Sequence, residues 1–172
     1  FFSLFITPLW LLANQFPQFV PQFLQFTIVD EPQNISLFWQ LILVEIAIDG
    51  LRLASINTPD TLSTTLGIIG GIALSQFAVD AGFASTETIL YMAFVTIANY
   101  SQPSQELSYS IKFMRIFLLI LTQLLNIWGF ALGVITLFIL LATNKTLSGK
   151  SYLYPLIPFR GKELLKKFVR LK

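Results

Sequence analysis

Two stretches of this chain, residues 1–29 and 116–144, contain no Asp, Glu, Lys or Arg, and shorter uncharged runs cover 61–79 and 88–105. A helix of about 20 apolar residues is needed to cross a hydrocarbon core about 30 Å thick. The outer face of a soluble helix shows polar residues on every turn, and these runs do not. The pattern predicts an all-α, polytopic membrane domain with short interfacial amphipathic helices.

Along the chain the pattern resolves into segments. Residues 1–13 are apolar but short for a span, and read as the end of one begun upstream, which makes the chain a fragment. Then Gln15, Gln18, Gln22 and Gln25 alternate with Phe16, Phe19, Phe23 and Phe26 at helical spacing. This predicts an interfacial amphipathic helix, although a phenylalanine face packed on neighbouring protein fits as well. Pro17 and Pro21 suit a first turn better than a helix interior.

Residues 36–56 are apolar except for Gln40, Glu45, Asp49 and Arg52, and Asn57, Thr58 and Pro59 end the segment. In 61–82, Gly67, Gly71 and Ser75 recur every four residues. They form a small-residue stripe that lets a second helix approach, because membrane helices associate by close packing. Gln76 and Asp80 form a separate polar edge. Residues 85–102 form a further span, ended by Pro103. The last run, 111–143, is too long for one upright span: its uncharged part alone would be about 44 Å of helix. Asn126, Gly129 and Gly133 sit within it. One tilted or kinked span and a hairpin turning near 126–129 both remain open. The hairpin puts Lys112 and Arg115 on the same side as the basic tail, which the positive-inside rule favours. The GxxxG spacing of Gly129 and Gly133 marks a second helix-packing position.

Charge changes the picture by its placement. Residues 1–144 carry three basic and eight acidic side chains, a net −5, and residues 145–172 carry eight basic and one acidic, a net +7. The tail is therefore expected to stay cytoplasmic. Its Leu164, Leu165, Phe168 and Leu171 face opposes Lys162, Lys166, Lys167 and Arg170, as in a helix lying on a bilayer or docking a partner. The chain reads as one membrane domain over 1–172, with 145–172 as its tail. Cysteine and histidine are both absent. No disulfide or thiolate can form, and the commonest general base and metal ligand are missing. No cofactor or metal site is indicated, and enzymatic chemistry gives way to transport, conduction or assembly. The basic tail lacks interleaved stacking aromatics, so nucleic acid is not expected as a partner.

Glu45, Asp49 and Arg52 lie four and three residues apart, on one helix face. Ions within a bilayer pair with one another or face water. The spacing predicts an intramembrane ion pair in which Arg52 neutralises both carboxylates, with an ion path as the alternative.

Several pieces together resemble one family. They are "LFWQLILVEIAIDGLRLASINTP", "TTLGIIGGIALSQFAVDAGFAS", "SIKFMRIFLLI" with "GFALG", and "SYLYPLIPFRGKELLKKFVR". In this order they resemble the membrane domain of the spore germinant-receptor A subunits. Glu45, Arg52 and Pro59 stand in the family's E…R…P order, and Tyr152 stands where a proline is usual. The resemblance implies a multi-pass protein of the spore inner membrane and a hydrophilic N-terminal domain outside these residues. It also implies a homo-oligomer that works with other germination membrane proteins and releases cations through a channel. On that reading the 61–82 helix lines the pore through Gln76, Val79 and Asp80, and Asp80, Glu87 and Glu106 favour cations. A non-conducting assembly subunit is the rival, and a secondary transporter a third option.

Overall fold

A computed structural model describes residues 2–29, 34–57, 59–102 and 104–143. The basic tail, 145–172, with Tyr152 and its cytoplasmic placement, lies outside the described residues. Among the described residues all regular structure is helical. Five α-helices run in order: α1 Phe2–Gln15, α2 Leu37–Ile56, α3 Asp60–Asp80, α4 Thr86–Tyr100 and α5 Gln105–Thr143. Two compact units divide the chain, Phe1–Phe130 and Ala131–Lys172. The described part of the second is the end of α5, where Gly133 is buried.

In the first unit α1, α2, α4 and α5 share a core. Leu11, Leu41, Val44, Met92, Val95 and Leu119 are all buried in it. Local chemistry fixes the turn between α3 and α4. Gly82 has φ +70°, and Phe83 N–H donates to Ala78 O at 2.8 Å while Gly82 N–H donates to Val79 O at 2.9 Å. This is the left-handed glycine cap that closes a helix. Ser85 then caps α4 by accepting from Thr88 N–H at 3.1 Å, and Glu87 sits in the first turn, where the helix dipole favours an acid.

The amphipathic helix predicted over the Gln/Phe repeat is not formed. That stretch makes two short 3-10 turns, Pro17–Phe19 and Gln22–Thr27. Pro17 and Pro21 remove the N–H groups that an α-helix there would need. The segment is instead tied back to α1. Trp10 Nε1 donates to Thr27 O at 2.7 Å, and Val29 N–H donates to Asn14 Oδ1 at 3.0 Å. The side chains of Phe19, Phe23 and Phe26 are exposed.

By length and composition, one helix among the described residues is apolar and long enough to cross a membrane, residues 105–141 of α5. It is not continuous. Asn126 has φ 53° and ψ −130°, outside helical space. A Cβ on Gly129 would collide with the backbone carbonyl of Leu121. An unbroken helix would hold residues eight apart about 12 Å from each other, so the chain reverses locally at Asn126. The break falls where the hairpin reading puts its turn.

Candidate functional site

The carboxylates on α2 and the bases on α5 meet in an antiparallel ladder. Residue numbers rise along α2 (45, 49, 52) as they fall along α5 (115, 112, 109). On each helix the steps are three or four residues, which keeps every rung on one face. On the first rung Arg115 Nη2 pairs with Glu45 Oε1. On the second, Lys112 Nζ pairs with Asp49 Oδ2. On the third there is no acid: the Arg52 guanidinium lies over the Tyr109 ring at 5.3 Å and the α4 Tyr100 ring at 5.5 Å.

Burial grades along the ladder. Arg115 is 0% exposed and Glu45 7%, whereas Asp49, Lys112 and Arg52 are half-buried. Arg115 Nη1 also donates to Ser3 O of α1 at 3.3 Å, so one guanidinium joins α1, α2 and α5. Removing an ion from water costs several kcal/mol, and pairing with good geometry offsets that cost. The deepest rung therefore holds the helices in register only while both partners are present.

This corrects the predicted ion pair in its partners. Glu45 and Asp49 are ion-paired, but with Arg115 and Lys112, and Arg52 neutralises neither. The reason is geometric. Arg52 stands nearer the end of α2, beside the tyrosines, and α5 presents its own bases opposite the acids. Arg52→Ala is accordingly expected to remove two ring contacts, about 0.5–1 kcal/mol each, and no ion pair among the described residues. Thermal unfolding of the purified protein should change little, and a loss as large as that for Arg115→Ala would refute this assignment.

A second buried polar cluster was not legible beforehand. Gln40, 0% exposed, donates through Nε2 to Ile35 O at 2.8 Å. Its Oε1 accepts from Ser85 N–H at 2.8 Å and from Thr88 Oγ1 at 2.9 Å. It thus bolts the start of α2 to the cap of α4. A glutamine within an apolar run was the available signal, but its partners lie 45 and 48 residues away.

Among the described residues of this chain no neighbouring helix closes on the small-residue stripe at Gly67 and Gly71. Nothing lies within 4 Å of where a Cβ would stand on Gly67 or Gly71. Together with Ser75 they border a cleft of about 380 Å³ between α2, α3 and α4. The close approach of α3 to α2 occurs at Gly70, against the Leu51 side chain. The residues read as pore-lining lie near the C-terminal end of α3: Gln76 and Asp80 are exposed and Val79 is half-buried. None of the three joins the ladder by a hydrogen bond or ion pair. Among the described residues no group of three His, Cys, Asp or Glu side chains is placed to hold a metal ion.

Comparison with known proteins places this geometry in context. All of residues 1–172 match the family described as Bacillus/Clostridium GerA spore germination protein. Stage V sporulation protein AF of Bacillus subtilis (strain 168) is 37% identical over 168 residues, covering 98% of this chain and 34% of that protein. The uncharacterized membrane protein YfkQ of the same organism is 28% identical over 173 residues, 99% of this chain and 34% of its own length. Spore germination protein A1, also of B. subtilis, is 25% identical over 158 residues, 90% of this chain and 33% of that protein. The chain therefore spans about a third of the length of these relatives. No solved structure matches it significantly.

Proposed function

The chain belongs to the GerA family of Bacillus/Clostridium spore germination proteins, and from that premise we propose that it is a multi-pass membrane subunit of a spore germination complex, forming or lining an oligomeric channel that releases cations. It acts in the spore inner membrane, with its basic tail on the core side, alongside further copies of itself and other germination membrane proteins. The reading takes no catalytic role, cofactor or metal.

The observation that carries the proposal is the environment of α3. The helix touches α2 at Gly70 and leaves Gln76 and Asp80 exposed. A pore helix needs one face for its neighbours and another for water. The outer surface supports the bilayer setting: Ile46, Ile69, Phe77, Ile97, Phe113 and Trp128 are all more than half exposed. A soluble monomer rarely displays so much apolar surface.

Water access tests the reading. The chain has no cysteine, so Gln76→Cys, Val79→Cys and Asp80→Cys report without background from this region. In the assembled full-length complex, aqueous thiol reagents are expected to label all three and to block ion flux in liposomes. Protection of all three sites, together with absent flux when the partner subunits are present, would favour the second reading, a non-conducting assembly subunit. That alternative draws on the ladder, whose two carboxylates are satisfied inside the chain.

A further inference from the structure

The third rung of the ladder has a cation but no anion. Arg52 makes no ion pair among the described residues, and its guanidinium rests over Tyr100 and Tyr109. It opens on a cleft of about 330 Å³ whose other polar walls are Asn99, Gln102, Ser104, Gln105 and Ser108. Three helix ends gather there: the last turns of α2 and α4 and the first turn of α5. Ser104 Oγ accepts from Leu107 N–H at 3.2 Å. The N–H groups of Gln105 and Glu106, at the positive end of α5, have no partner within the helix. Glu106, the acid of that turn, is exposed and does not line the cleft.

This cluster has the composition of a membrane–water boundary. Tyrosine concentrates at the headgroup level of apolar helices, and arginine extends its charge to the same level. A guanidinium whose face is taken by aromatic rings keeps its edge free, and that edge forks onto two oxygens of a phosphate. We propose that the Arg52 cleft binds a phosphate oxyanion, presented by the headgroup of an anionic phospholipid. The inference rests on the membrane reading above and adds a ligand to it. The bound lipid bridges α2, α4 and α5 at the end of the ladder where the described residues supply no counter-charge.

The test uses the full-length protein in nanodiscs of mixed phosphatidylglycerol and phosphatidylcholine, with retained lipid read by native mass spectrometry. Wild type is expected to retain phosphatidylglycerol selectively. Arg52→Gln should lower that retention about ten-fold, the scale of one hydrogen bond to a charged group, and Arg52→Lys should fall between them. Excess inorganic phosphate should not displace the lipid; if it does, the site serves the free ion and the lipid assignment is overturned. Equal retention by wild type and Arg52→Gln overturns the inference as a whole. Should Arg52→Gln fold poorly, hydrogen exchange on wild type decides. Amides at 105–108 are expected to slow in phosphatidylglycerol discs relative to phosphatidylcholine discs, and unchanged exchange rejects the site. Alkaline carbonate extraction separates the two levels: release of the protein from membranes defeats the membrane reading, whereas an embedded protein without lipid selectivity defeats only this inference.

Discussion

Arg115→Ala is expected to be the most damaging single substitution in the ladder. The side chain is completely buried and serves two partners, Glu45 and the Ser3 carbonyl. Its removal leaves a buried carboxylate with no counter-charge and takes away the bond from α5 to the Ser3 carbonyl of α1. Breaking a buried pair in this way costs roughly 3–5 kcal/mol, a large part of the 5–15 kcal/mol that typically separates folded from unfolded protein. The amount of folded protein in membranes should fall sharply, and what remains should unfold at a lower temperature. Adding Glu45→Gln removes the stranded charge and should restore part of the loss. Arg52→Ala, also an arginine deletion on the ladder, serves as the control that leaves no acid unpaired. If Arg115→Ala accumulates and unfolds like wild type, Glu45 reaches water and the rung is not structural.

The contrast between the two arginines shows where sequence reasoning reached its limit. Helical spacing placed Glu45, Asp49 and Arg52 on one face, and the structure keeps them there. What spacing within a helix cannot give is the residue on the opposing helix. Lys112 and Arg115, three residues apart, match two carboxylates four residues apart, and Arg52 is the only other base in residues 1–144. Charge arithmetic therefore contained the answer. Reaching it required knowing that α2 and α5 run antiparallel in this register, a tertiary fact set by the shared core. Gln40 is a similar case: its polarity was visible, but its partners at Ser85 and Thr88 depend on how α4 begins.

Helix positions themselves were largely legible, because apolar runs bounded by Asn57–Pro59, Gly82–Ser85 and Pro103 leave little freedom. The Gln/Phe repeat misled for the opposite reason. Its period is helical, but the two prolines within it outweigh the pattern, and the backbone settles for 3-10 turns held by Trp10 and Asn14. The glycine stripe is legible as a surface that another helix can approach, but not as the contact made inside the chain. Small residues permit close approach without requiring it. In this chain the approach occurs at Gly70, while Gly67 and Gly71 border open space.

Gly129→Ala is the second large effect expected. The Cβ of the new alanine would meet the Leu121 carbonyl and the Leu125 side chain at distances no real methyl group adopts. The principal obstacle is backbone, so no side-chain rotation relieves it. Overpacking a well-filled site typically costs about 1–3 kcal/mol, and a collision with main chain belongs at the upper end of that range. Neighbouring substitutions should behave differently. Asn126 has the backbone conformation of the first central residue of a type II′ turn, where glycine is the ordinary occupant. Asn126→Gly should therefore be tolerated, or should stabilise the reversal. Gly50→Ala, in the middle of α2 with nothing within 4 Å of its new methyl group, should be neutral or stabilising by roughly 0.5–1 kcal/mol. Thermal unfolding of the three variants in detergent gives the comparison directly. A Gly129→Ala protein as stable as Gly50→Ala would mean that α5 runs straight through Asn126. The long apolar stretch would then be one continuous helix, and the local reversal at Asn126 would be absent from the folded protein.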